Sequence, residues 1–378
     1  MISIWEKETF FAPQDVVIAG GGFVGLWSAL YIKKKHPKAN VSILDRGLIP
    51  TGASTRNAGF ACFGSLTEVV HDAETMGLEK TLALIEMRFK GLEKIQKIFK
   101  PSKIDFELCG GYELFNAAQS MPLEKIQHYI DYLNVLLKNI TGSKKTFRLT
   151  DDALETFGFG QTAHMVENKF EGFLHSGKLV QALMREVQAM GVQIFTGVEI
   201  KNFQSGEKNI EIFTAQNVTF STRQLLICTN AFAKELLSES DIVPARGQVI
   251  VTSPIKNLPW RGSFHFDEGY YYFRNLGNRV LLGGARNIDF AGEQTTEFNI
   301  TERIQTALEN FLRQVILPHH TEPYTIEHRW SGIMGMGSEK SPIVKEVQPN
   351  IFCAVRMSGM GVALSPVLGK QMSEMLLQ

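Results

Sequence analysis

Residues 15–26 read DVVIAGGGFVGL, and this stretch decides the fold. Val16 to Ala19 form the short apolar run of a buried strand, and from Phe23 to about Lys35 the pattern becomes helical. Between them Gly20, Gly22 and Gly25 stand in the spacing GxGxxG. The first glycine permits a tight turn, the second lets the backbone approach a pyrophosphate, and the third lets helix and strand pack closely. Phe23 and Val24 open the helix, so its unpaired N–H groups and positive dipole end face the phosphate oxygens. A second strand, NVSILD at 40–45, ends in Asp45, where a carboxylate can accept hydrogen bonds from an adenosine ribose. Strand, glycine turn, helix, strand and acid predict a parallel βαβ unit that binds a dinucleotide.

Working outward, apolar stripes predict helices over about 78–99 and 123–137, and a further helix over 176–190 leads through Gly191 into the strand VQIF. QLLIC at 224–228 reads as another buried strand. The region 246–290 changes character: RGQVIVT, SFHFDEGYYYF and RVLLGGA have strand composition, with NLGN as a hairpin turn. A helix near 302–316, strands around 324–331 and 351–355 and a helix after Gly361 complete the chain. The fold class expected is α/β: a Rossmann-like FAD/NAD(P)-binding domain carrying an inserted antiparallel sheet. Both domains are discontinuous, with residues 1–90, 150–240 and 322–378 in the nucleotide domain and 91–149 and 241–321 in the substrate or roof domain.

Composition narrows the class. Lys plus Arg and Asp plus Glu are equal at 39 each, so no global field draws the protein to nucleic acid or anionic lipid. Cys62, Cys109, Cys228 and Cys353 are scattered without a CxxC pair, which suits a reducing compartment and gives no zinc pattern. No apolar run has the length of a membrane span, and the N-terminus lacks the pattern of a signal peptide. A cytoplasmic protein with no metal site is expected.

Residues 52–62, GASTRNAGFAC, are too rich in small and polar residues for a packed helix or strand. GGGFVGL, LDRG and GASTRNAGF together resemble the D-amino-acid oxidase family of FAD-dependent oxidoreductases. The resemblance continues through HSGKLVQALMREVQAMGVQI, LLICTNAFAKEL, PARGQV, YYYFRNLGNRVLLGGAR, RWSGI and SGMGVALSPVLGKQMSEML. Residues 64–170 carry the least of it. It implies non-covalent FAD, with the 52–59 segment crossing the pyrophosphate and running beneath the flavin. Arg46, Ser54, Thr55, Arg56 and Asn57 are implied as polar contacts, with Ala58 and Gly59 giving close approach. Val198 is implied beside the adenine, and Thr229 and Asn230 beside the nucleotide. At the other end Arg356, Ser358, Gly359, Met360, Gly361 and Val362 are implied at the flavin, where a helix N-terminus favours the charge of its reduced form.

The chemistry the resemblance implies is hydride removal from a carbon beside an amine, followed by hydrolysis of the imine. The partner is a small-molecule amine or amino acid. Relatives that oxidise glycine or D-amino acids place an arginine where this chain has Met334, and sarcosine oxidases place a lysine where it has Ala363. Arg274, Arg286, Arg329 or Arg356 could replace that cation, or the substrate carries no carboxylate near its amine. Leu281 or Leu282 stands at the position of the lysine that helps oxygen react, which leaves the electron acceptor open. Arg356, Tyr271 and Met334 are the candidates for the reaction chamber. Strand alternation sends Tyr271 to one face and Tyr270 and Tyr272 to the other. His164, His265 and His328 are expected to be satisfied structural residues, and Arg246 structural. The rival readings are an NAD(P)-dependent dehydrogenase and a flavin-binding protein without amine oxidation.

Overall fold

The computed structural model describes residues 1–119, 121–238 and 240–378. Five parallel strands form the centre of one sheet in the order Ile351–Val355, Thr219–Ile227, Gln14–Ala19, Val41–Asp45, Gln193–Thr196. Antiparallel strands Ile200–Ser205, Ile210–Thr214 and Ile343–Gln348 extend it. The inner strands read as continuous apolar runs because both faces are covered. The helix Phe23–Lys35 is buried over most of its length, and Gly369 lets the C-terminal helix Gly361–Met375 lie directly against Trp27.

This arrangement follows the central rule of open parallel sheets, that ligands bind beyond the carboxyl ends of the strands. Gly20 follows Ala19, Asp45 closes its strand, and Thr229 and Asn230 come just after Ile227. Val198 follows Thr196, and the 356–360 turn follows Val355. Residues far apart in the chain therefore reach one edge of the sheet.

The second sheet is the roof. Its order is Ile326–Met336, Val243–Thr252, Arg279–Gly284, Tyr271–Leu276, Ser263–Phe266, Gly111–Asn116, Thr162–Asn168, Phe147–Leu149. All pairings are antiparallel except that of Ser263–Phe266 with Gly111–Asn116. Thr162–Asn168 and Ile326–Met336 thus lie in the roof, although the sequence places their segments with the nucleotide domain. The aromatic stretch 263–273 is broken by a turn at Asp267–Tyr270, which makes it two strands. The helix expected near 302–316 runs Glu302–Phe311 and widens to a π turn over Leu312–Ile316. One roof face, with Trp260, Phe264, Phe273 and Leu282, packs under that helix. The other presents Val249, Val251 and Leu281 to Ala58.

Beyond Ala58 the chain enters a three-stranded sheet of Phe60–Ala61, Gly172–Phe173 and Glu107–Leu108. Buried Glu171 accepts from the N–H groups of Phe63 (2.8 Å) and Gly64 (3.0 Å), and burial drives its carboxyl up to about 8. Because the folded value lies above the ordinary 4.5, the stability Glu171 contributes is complete below pH 4.5 and is lost as pH rises through about 8. Glu171→Gln should flatten the fall in melting temperature between about pH 5 and 8. Equal slopes for variant and wild type would overturn this assignment.

Candidate active site

A cleft of about 470 Å³ runs along the carboxyl edge of the parallel sheet and under the roof. Of the residues expected at a cofactor, Gly20, Gly22, Phe23, Val24, Asp45, Arg46, Ser54, Arg56, Asn57, Ala58, Val198, Thr229, Asn230, Ser358, Gly359, Met360, Gly361 and Val362 line it. Gly25, Thr55 and Gly59 stand just behind. Gly25 packs against the Gly20 carbonyl, Thr55 donates to the Pro50 carbonyl, and Gly59 at φ 76° closes on Leu174.

The 52–60 segment is more ordered than its composition implies. Residues Ala53–Arg56 make a single helical turn. Asn57 accounts for the turn: its amide donates to the carbonyls of Ala53 and Ser54 (both 2.9 Å), and its oxygen accepts from Gly59 N–H and Ser176 Oγ. Arg56 donates to the carbonyls of Thr51 and Ser331 and lies over the Phe298 ring. Both side chains therefore shape the segment from within it. Ser54 Oγ accepts from Phe23 N–H at 2.8 Å, which ties the segment to the start of the glycine-rich helix. From behind, Arg274 donates to the Ala58 carbonyl at 2.7 Å.

Asp45 accepts from the N–H groups of Gly21 (2.8 Å) and Gly47 (2.9 Å), one on each carboxylate oxygen. Those bonds hold its carboxylate at the cleft wall and leave further lone pairs for a ribose. Arg46 pairs with Glu235 and stacks over Phe232. The N–H of Val198 donates to the Asp45 carbonyl.

At the opposite wall the chain turns sharply, with Arg356, Ser358 and Gly359 at φ 64°, 47° and 83°. Asn230 Oδ1 accepts from the N–H groups of Arg356 and Met357 (both 3.1 Å) and holds this turn. The Arg356 side chain points away from the cleft, to the Asp241 carboxylate and the Ser341 carbonyl. The expectation that Arg356 faces flavin or substrate is thus corrected: an acidic partner outside the cleft captures it.

Tyr271 is corrected as well. Its ring stacks on Phe311 at 4.4 Å on the far side of the roof. Alternation separated the tyrosines as expected, but the aromatic core under the Glu302–Phe311 helix draws Tyr271 away. Tyr270 and Tyr272 line the cleft. Burial pushes the Tyr272 phenol up to about 12, so it keeps its proton. Met334 lines the cleft as expected.

His265 departs from the expectation of a satisfied histidine. It lines the cleft edge-on to Phe60 at 5.2 Å, and its Nε2 is buried without a partner among the described residues. Burial pushes its imidazole below the ordinary value. His164 pairs with Asp151, and His328 lies exposed on its strand. Arg246 is structural, in a buried pair with Glu293. Sequence reading missed Phe60, Tyr272, His265 and the polar corner where Lys340 meets Glu68 and Asp72. There burial alone would raise the Glu68 carboxyl, but Lys340 and Arg88 outweigh it and bring it to about 2.

Two features show that the cleft suits a dinucleotide with phosphates. Thr229 Oγ1 and Ser358 Oγ are buried on its wall with no partner among the described residues, an arrangement that costs free energy unless a ligand satisfies them. In addition, the helices Phe23–Lys35 and Gly361–Met375 both begin at the cleft, and neither N-cap side chain accepts from its helix, Ser54 Oγ taking the Phe23 N–H of the first. The first meets the glycine turn and the second the 356–360 turn, so anionic groups are favoured at both ends.

Among the described residues no helix is long and apolar enough to cross a membrane. A probable oxidoreductase of Haemophilus influenzae is 24% identical to this chain, over 96% of it and 83% of that protein. A gamma-glutamylputrescine oxidoreductase of Escherichia coli is 22% identical, over 96% and 83%. The crystal structure of L-proline dehydrogenase from P. horikoshii shares the fold with a TM-score of 0.77 at 16% identity, covering 97% of this chain and 93% of that one. The family model described as FAD dependent oxidoreductase matches residues 15–375. The chain therefore belongs to the DAO family of FAD-dependent oxidoreductases.

Proposed function

We propose that this protein uses FAD to oxidise the C–N bond of a small amine or amino acid. The observation that carries this reading is the part of the cleft beneath the roof, where Phe60, Tyr272, Met334 and Met360 form a largely apolar wall. FAD supplies the acceptor for the hydride equivalent. The glycine turn, Ser54, Thr229, Ser358 and the two helix N-termini would hold it. The chain's own residues then need to orient the substrate and exclude water, which an apolar chamber with the Tyr272 hydroxyl and the neutral His265 is suited to do. The relative named for gamma-glutamylputrescine supports an amine-directed reading, and a cytoplasmic setting belongs to the same proposal.

The test is spectroscopic. Purified protein should be yellow, and anaerobic addition of the right amine, D-amino acid or L-amino acid should bleach the flavin band. Readmitting air and timing the return of colour reports how readily oxygen serves as acceptor. A yellow protein that no amine or amino acid bleaches would sink the proposal and favour a catalytically idle flavin binder.

A further inference from the structure

We infer that residues 294–300 form a strap across the nucleotide half of the cleft, latched by Phe298, which must lift for FAD to enter or leave. The inference rests on the family's cofactor and not on the proposed substrate.

Both ends of the strap are pinned by one buried side chain. Gln248, on the roof strand Val243–Thr252, is 0% exposed. Its amide donates to the Glu293 carboxylate and to Thr301 Oγ1, both at 2.9 Å, and its oxygen accepts from the Thr301 N–H at 3.0 Å. The ion pair of Glu293 with Arg246, and the bond from the Arg246 N–H to the Glu293 carbonyl, fasten the first end further. The two ends therefore sit together on the roof, the arrangement of a compact surface loop.

Between the ends the chain is barely held. Among the described residues, every hydrogen bond made by residues 294–300 stays within the excursion itself. Gln294 N–H donates to the Ala291 carbonyl, Glu297 N–H to Thr295 Oγ1, and the Asn299 amide to the Glu297 carboxylate. Apart from half-buried Thr295 these residues are all exposed. A segment with so few buried contacts opens at low cost.

Phe298 is what ties it down. Its ring meets the Phe232 ring at 6.1 Å and carries the Arg56 guanidinium at 4.6 Å, while Arg46 lies over Phe232 at 3.9 Å. These four side chains come from separate segments of the chain, and all line the cleft. Arg46 follows Asp45, the acid placed for a ribose, and Arg56 belongs to the segment that Ser54 joins to the glycine-rich helix. The stack Arg46, Phe232, Phe298, Arg56 thus bridges roof and nucleotide domain where the nucleotide half of the cofactor belongs. Aromatic pairs and exposed cation–π contacts are individually weak, which suits a latch that must open unaided. A latch made wholly of protein groups weighs equally on entry and exit, so it sets both rates and leaves the affinity unchanged.

The test measures those two rates. Loading is followed by the change in flavin fluorescence when apoprotein is mixed with FAD. Release is timed by capturing the FAD that leaves the holoenzyme with an excess of another apoflavoprotein. Phe298→Ala should speed loading and release alike, by about fivefold to fiftyfold, with the dissociation constant within about threefold of wild type. Phe298→Trp should slow both, because the indole is the best ring for a cation. Phe298 is 41% exposed, so neither change disturbs the core. Rates unchanged in both variants would overturn the inference. So would faster release by Phe298→Ala without faster loading, because Phe298 would then be a contact of FAD and not its gate. Bleaching by an amine enters neither rate, so the proposed reaction could fail while the strap stands.

Discussion

Replacing Glu293 by alanine is expected to cost about 3–5 kcal/mol of folding stability, the usual penalty for removing one partner of a buried ion pair. Arg246 is 3% exposed and Glu293 1%, and they meet through two bonds, Nε at 2.9 Å and Nη2 at 2.7 Å. Gln248 also donates to the Glu293 carboxylate at 2.9 Å, and the Arg246 N–H donates to the Glu293 carbonyl. Without the carboxylate, a guanidinium is left in the interior with, among the described residues, only the Gly292 carbonyl to accept from it. The double variant Arg246→Met, Glu293→Leu removes both charges and should recover most of the loss, since apolar replacement of a buried pair is often neutral. Thermal melts of the two variants beside wild type give the answer. A single variant as stable as wild type would show that the pair is dispensable. The pair also ties the chain that follows Arg286 to the roof strand Val243–Thr252, so Glu293→Ala should loosen the Phe298 contact with Arg56.

The second large effect is expected at Gly25. A methyl group there would press into the carbonyl oxygen of Gly20 and stand 3.2 Å from Ile18 Cγ2. The turn cannot yield, because Gly20 N–H is bonded to the Leu44 carbonyl at 2.8 Å and the strand Gln14–Ala19 is central in its sheet. The helix must move instead, and its first turn lines the cleft. Overpacking of this kind costs about 1–3 kcal/mol, so Gly25→Ala should raise the dissociation constant for FAD by about fivefold to 150-fold. Lys208→Ala is the control: it is exposed in the turn between strands Ile200–Ser205 and Ile210–Thr214, away from the cleft lining. Titrating FAD into apoprotein of both variants is decisive. Binding by Gly25→Ala within threefold of wild type would remove the glycine turn from the cofactor site.

How much of this was legible in the sequence follows the range of the forces involved. The glycine turn, its flanking strands and helix and the closing acid are local: φ, hydrophobic period and backbone clearance act within a few residues. They read correctly, as did the return of the same pattern at the C-terminal helix. The 52–60 segment read correctly as a bend of small residues but not as a helical turn, since Asn57 supplies its own side chain as the missing partner. Residues 64–170 carry the least of the family resemblance, and the corner of Glu68 and Lys340, which joins positions 272 residues apart, could not be foreseen.

By itself the sequence determined the parallel nucleotide-binding core, the family and the segments that converge on one cleft, because glycine geometry and apolar periodicity leave few alternatives. Only the tertiary structure decided which side chains enter the chamber. Strand alternation separates Tyr271 from Tyr272 but does not say which face meets the cleft, and the aromatic core beneath the helix Glu302–Phe311 settles that. Likewise an arginine's charge is evident in the sequence, whereas its availability depends on distant partners. Asp241 claims Arg356, Glu309 claims Arg329 and the Ala58 carbonyl claims Arg274, while Arg286 is left facing the cleft.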